Sequence, residues 1–186
     1  YSLWSFHFMA GSASASPLPI ADTPYSTTFG YASLAIDGNG HAIFAWENYD
    51  SSASRNRVRL SRYDGSWETP HWMSSTNTEI TRHPAVAFAP NGNALVSAAV
   101  YASNASSVAY RVVALPWTTS DGWGALEPVF DTGSYIQPGL DVALENSGVA
   151  MIVAADGSSR LKSSRRLSGS WAAPEIGNKT YSASIM

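Results

Sequence analysis

Ala85–Val100 reads AVAFAPNGNALVSAAV: two apolar runs joined by Pro90-Asn91-Gly92-Asn93. Neither run carries a charge, and each is strand-sized. The turn between them holds Asn and Gly, the residues that tolerate the positive φ of a tight hairpin. The same design recurs in Ser33–Trp46, SLAIDGNGHAIFAW, and in Leu140–Ala155, LDVALENSGVAMIVAA. The anchoring glycines Gly40, Gly92 and Gly148 lie 52 and 56 residues apart. Three β-hairpins of one type, here called A–B, therefore repeat along the chain.

Each hairpin leads through a polar loop into a third strand C: RVRLSRYD at 57–64, VAYRVVAL at 108–115 and RLKSSRRL at 160–167. A Gly- and Trp-bearing turn follows each, holding Asp64, Gly65 and Trp67, then Asp121, Gly122 and Trp123, then Gly169 and Trp171. A proline closes each turn, at Pro70, Pro128 and Pro174, before a short strand D. The first residues fit the template out of phase, with SLWSFHFM at 2–9 as a strand C and SASPLPIAD at 14–22 as a strand D. Four-stranded units of this length in tandem predict a β-propeller, since each unit has two apolar faces that only neighbouring units can cover. The expected division is a partial blade at 1–22, blades at 23–76, 77–131 and 132–178, and a closing strand at 179–186. That makes an all-β propeller of about four four-stranded blades, one of them incomplete or closed by the C-terminal strand, or part of a larger propeller. A β-sandwich, the competing all-β architecture, would not place a Trp-bearing turn at this period.

Composition agrees with sheets buried on both faces. Of 186 residues, 45% are hydrophobic and only 13% charged, about half the usual share for a soluble domain. The net charge of −3, without basic runs, argues against a nucleic-acid partner. No apolar run reaches the length of a membrane span. The absence of cysteine excludes disulfides and thiolate metal sites. The start at Tyr1 carries no signal peptide, so processing or a partial chain is expected, with an extracytoplasmic location (secreted, periplasmic or cell surface). Asn104-Ala105-Ser106 and Asn178-Lys179-Thr180 match glycosylation sequons, as chance alone produces in a Ser-rich chain.

The C–D turns resemble degenerate Asp boxes, the S/T-x-D-x-G-x-x-W element of bacterial neuraminidase repeats. The nearest forms are SRYDGSW at 61–67, TTSDGW at 118–123 and RRLSGSW at 165–171, the last without its Asp. In that family the box joins the third and fourth strands of a propeller blade, its Asp satisfying turn amides and its Trp packing between sheets. A sialidase also needs three arginines for a carboxylate, a Tyr–Glu nucleophile pair and an acid/base Asp. Its Phe/Tyr-Arg-Ile-Pro motif is missing; the nearest string is Tyr110-Arg111-Val112-Val113. The arginines that alternate along strand C are expected to be solvated charges on an edge strand that discourage aggregation.

Other chemistries find little purchase. His7, His41, His71 and His83 are scattered without ligand spacing or neighbouring carboxylates, so neither a metal nor a cofactor is expected. The Asp37-Gly38-Asn39-Gly40 turn lacks the alternating carboxylates of a calcium loop, and Gly-x-Ser-x-Gly and phosphate loops do not occur. Glu47, Asp50, Asp131, Asp141 and Asp156 are available carboxylates. Aromatic residues remain: Trp46, Tyr49, Tyr101 and Tyr135 fall near the B–C and D–A loops, which share one rim, with Arg55 and Arg82 nearby. These six form the expected ligand site, and the expected function is non-catalytic recognition of a glycan or a protein partner. Two alternatives stand beside it: a sialidase-like glycoside hydrolase, and a structural subunit that docks through open strand edges.

Overall fold

The computed structural model describes residues 2–5, 18–22, 30–76, 78–103 and 108–180. Of the expected closing strand at 179–186, residues 181–186 lie outside the described residues, as does the sequon at 104–106. Lys179 and Thr180 fall instead in the last strand of the third sheet, Glu175–Thr180. The described chain is all strand and turn, without a helix and therefore without one long and apolar enough to cross a membrane.

Strands β1 (Ser2–Ser5) and β2 (Leu18–Asp22) form an antiparallel pair. The first full sheet runs β3 (Ala32–Ile36), β4 (Ala42–Asp50), β5 (Arg55–Tyr63), β6 (His71–Trp72) in chain order, each strand bonded to the next. The second contains β7 (Ile80–Phe88), β8 (Ala94–Ser103), β9 (Val108–Thr118), β10 (Gly122–Trp123) and β11 (Glu127–Asp131), with β10 and β11 both pairing with β9. The third repeats that plan with β12 (Asp141–Leu144), β13 (Ala150–Ala155), β14 (Arg160–Leu167), β15 (Ser170–Trp171) and β16 (Glu175–Thr180). All three are antiparallel meanders, and none closes into a barrel.

Side chains alternate between two cores along β4, β8 and β9, as period 2 requires. On β4, Ile43 and Ala45 join Val96, Ala98 and Val100 of β8 in the core between the first and second sheets. Phe44 and Trp46, facing the other way, pack with Ile20 of β2. On β8 the intervening residues Leu95 and Ala99 turn toward Ile152 and Ala154 of β13, forming the core between the second and third sheets. The charge-free stretches at 42–46 and 94–103 are thus explained at the level of packing: there β4 and β8 are covered on both sides by apolar side chains. β4 takes its charges, Glu47 and Asp50, only toward its rim end, where they find partners.

The repeating turns carry the register. In all three A–B turns the residue before the loop (Asp37, Ala89, Glu145) donates its N–H to the carbonyl four residues on, and the glycine donates back to that residue. Gly40, Gly92 and Gly148 hold φ of 86°, 85° and 80°, the left-handed position of a three-residue hairpin loop. The C–D turns differ in length, yet each sets its tryptophan opposite strand C: Trp67 against Tyr63, Trp123 against Trp117, Trp171 against Arg166. Each of these tryptophans packs into the core shared with the preceding unit. Trp171 adds a 2.8 Å bond from its indole nitrogen to Glu127 on β11, and that carboxylate also pairs with Arg166.

Two expectations from sequence need correction. Strand C is not an edge, since β5 lies between β4 and β6 and β14 between β13 and β15. The arginines of β5 are covered, whereas Arg160 and Arg165 on β14 are exposed as expected. Arg57 is buried against Asp50 at 2.6 Å, Arg57 and Arg59 both stack on Trp72, and Arg62 lies 4.3 Å from the centre of the Trp117 ring. Guanidinium planes can cover aromatic faces while their edges stay bonded, which is how this central strand accommodates its charges. The turn aspartates also behave differently: Asp121 accepts from the hydroxyls of Thr118 and Ser120 rather than from turn amides, and Asp64 engages Arg62 and His41.

Replacing Gly148 by Ala should cost about 1–2 kcal/mol, the penalty of left-handed backbone with a Cβ. Gly92→Ala should cost more in the same urea titration. Its Cβ would also press to 3.2 Å from the Thr119 methyl.

Candidate functional site

Strands A begin and strands B end at one rim, where Ile80 pairs with Tyr101. Three sheets contribute side chains there. Glu47 comes from β4, Arg82 and His83 from β7, Tyr101 from β8, and Tyr135 from the connection into β12. A bulge between Arg82 and Ala85 breaks the β7–β8 register and puts His83 at φ 53°, a conformation that L residues with bulky side chains seldom adopt. His83 donates its backbone N–H to Glu47 Oε1 at 2.8 Å. The chain before β3 presses on the same carboxylate: Glu47 donates its N–H to the Tyr31 carbonyl, and a Cβ on Gly30 would fall 2.3 Å from Glu47 Oε2.

Aromatic rings enclose this core. Tyr31 meets the His83 ring edge-on at 4.7 Å, and Tyr135 meets it at 6.5 Å on an 89° angle. Tyr135 stacks on Tyr101 at 5.5 Å, and Tyr101 in turn meets Tyr110. Tyr31 and Tyr135 keep about half their surface open to solvent, whereas His83 is only 4% exposed. Both His83 ring nitrogens are buried without a hydrogen-bond partner. Burial, reinforced by the Arg82 charge, lowers its pKa to about 4, so the ring is neutral at pH 7. Burial raises Glu47 against the pull of the His83 amide and Arg82. Burial also raises Tyr101, whose hydroxyl donates to the Ile136 carbonyl at 2.9 Å.

The charges on this rim are unequally spent. Arg55 bonds the carbonyls of Ala53 and Thr78, and Arg111 pairs with Glu79. Arg82 makes no hydrogen bond or ion pair with the described residues, although its field reaches Glu47, His83 and Tyr101. Asp50 and Asp156 close the B–C loops of the first and third sheets in the same way. Each accepts loop amides and holds an arginine of the following strand, Arg57 or Arg160. Burial alone would raise both carboxyls, but these bonds keep them below the usual carboxylate range.

Of the six residues expected to bind ligand, Arg82, Tyr101 and Tyr135 converge here. Trp46 is 1% exposed and belongs to the core beneath β2. Tyr49 is open to solvent on β4, and Arg55 is tied to backbone. Glu47, His83 and Tyr31 complete the cluster; nothing in the chain around His83 signals this, because the carboxylate beside it, Glu47, lies 36 residues away. His41 corrects the same expectation at the opposite rim: it sits between Asp37 at 2.8 Å and Asp64 at 3.4 Å. Among the described residues no three metal-ligating side chains converge to hold a metal ion.

His83 makes stability depend on pH. Its folded pKa lies below the unfolded value of 6.5, so its contribution is complete above pH 6.5 and is lost as pH falls toward 4. The loss should approach about 3 kcal/mol. His83→Asn keeps a side chain that tolerates the left-handed backbone and cannot titrate. The difference in thermal midpoint between the wild type and this variant, measured from pH 7 to pH 4, isolates the histidine from Glu47, whose carboxyl is raised by burial and so contributes with the opposite sign.

No family model matches the chain, and no curated protein matches it. Among solved structures it is similar to a protein of unknown function from Dyadobacter fermentans, 10% identical, over 79% of this chain and 68% of that one at a TM-score of 0.40. It is also similar to a fucose lectin from Kordia zhangzhouensis solved with methyl-fucoside, 18% identical, over 81% of this chain and all of that one at a TM-score of 0.43.

Proposed function

We propose that the protein is a non-catalytic recognition module that binds a glycan at the Glu47–Arg82–Tyr101–Tyr135 rim, on a propeller of sialidase-like repeats. The observation that carries this reading is the unspent Arg82 guanidinium beside half-exposed Tyr31 and Tyr135. A sugar offers an apolar C–H face for stacking and a ring of hydroxyls for hydrogen bonds. Open tyrosine faces serve the first, and a guanidinium beside a buried carboxylate serves the second. Stacked meanders whose A–B turns touch fit a radial arrangement of blades. Asn91 bonds Asn146 twice, and Gly92 lies close to Asp37. An extracytoplasmic location suits such a module.

Hydrolysis fits the same residues poorly. A tyrosine nucleophile needs a lowered pKa and a free hydroxyl, whereas Tyr101 is raised by burial and bonded to the Ile136 carbonyl. A carboxylate clamp of three arginines is not assembled either, because Arg55 and Arg111 are engaged elsewhere.

A glycan array probed with the purified chain tests the reading, followed by calorimetry on the best hit. Arg82→Ala and Tyr135→Ala should each weaken binding about tenfold or more, near 1.4 kcal/mol. Tyr49→Ala, outside the cluster, should leave it unchanged. An empty array, or hits indifferent to both cluster variants, would overturn the proposal.

A further inference from the structure

The three sheets obey one facing rule. Counting from the A–B glycine, the third residue turns toward the following sheet and the fourth toward the preceding unit. Ile43 thus meets the second sheet and Leu95 the third, while Phe44 and Val96 face backward. The forward face of the first sheet is covered by the second, and that of the second by the third. On the third sheet the rule assigns the forward face to Met151 and Val153, and there the structure is open. Met151 lines a groove of about 240 Å³ with Ala143, Leu144, Arg165 and Leu167. A second, shallower groove runs beside it past Val153. Leu167 is 52% exposed.

The complementary half-interface is also open on the same molecule. The backward face of the first sheet is covered where Ile20 of β2 packs on Trp46. On β3 of that face, Leu34 and Ile36 remain 54% and 62% exposed. Among the described residues the stack of three sheets therefore presents a forward face on the third sheet and the β3 side of a backward face on the first. This is the pairing it buries twice inside itself. We propose that the outer face of the third sheet is a self-association surface that seats on the exposed β3 side of the first sheet in a second copy of this chain. The contact is heterologous, donor face to acceptor face, so copies join head to tail and close into a ring or extend into a filament according to the rotation between them. It continues an interface type already present rather than creating a new one, and it stands independently of any ligand.

Light scattering of the full chain over a concentration series tests this. The wild type should show a mass of two or more copies that dissociates on dilution. Met151→Asp should be monomeric, and so should Leu34→Asp, because each removes one half of the contact. Mixed together, the two variants should recover a one-to-one dimer, since each supplies the half the other lacks. Leu167→Asp, at a more exposed position, replaces Met151→Asp if circular dichroism shows that variant to be unfolded. A wild type that stays monomeric at every concentration overturns the proposal. So does association that survives Met151→Asp and Leu167→Asp, loss confined to the Met151 side (the mark of face-to-face pairing), or a mixture that stays monomeric.

Discussion

Burial of both faces of each central sheet is the constraint on which the rest of the molecule depends. A meander whose strand B is apolar at both parities cannot exist alone in water, because one set of its apolar side chains would always be exposed. The second sheet solves this by giving Leu95 and Ala99 to one neighbour and Val96 and Ala98 to the other. From this follow the low charge content, the tandem repeat, and the sharing of cores between units. It also explains why the ends of the stack are unlike its middle. The same pattern that is satisfied at β8 is satisfied on one side only at β13.

Turn chemistry keeps those parities correct. A slip of one residue would send every side chain of a strand to the wrong core. The glycine in each A–B turn and the tryptophan after each C–D turn fix the register at both ends of strand C's partners. Variation in the C–D turns shows which part is essential: the loop lengthens or shortens and loses its Asp, but the tryptophan still lands opposite strand C and packs backward. The arginines of β5 are held by the same logic of covered faces. With no edge to escape to, they pair with Asp50 or lie flat on Trp72 and Trp117.

The rim site spends stability that the sheets supply. A left-handed His83 with two unsatisfied ring nitrogens and a buried Glu47 would each be disfavoured in an ordinary core. They persist because β4 and β7 are clamped between neighbours, with Gly30 giving the close approach that a side chain would block. Such concentrated local cost beneath open aromatic rings is characteristic of sites shaped for binding rather than for stability.

The sequence alone determined the all-β repeat, the A–B hairpins, the recurring turn tryptophans and the common rim of Arg82, Tyr101 and Tyr135. These are local matters: period-2 apolar runs, glycines at left-handed positions and the spacing of equivalent turns are all written in consecutive residues. Tertiary structure decided which side chains share a space. Trp46 looked like a rim aromatic, yet parity on β4 sends it into the core while its neighbour Glu47 faces the site. His83 looked isolated because Glu47 stands 36 residues away, and only sheet-on-sheet packing brings that carboxylate to its amide. Arg57 and Arg62 of β5 read as solvated for the same reason, although both are buried. Burial depends on what covers a face, and the covering sheet comes from a distant part of the chain.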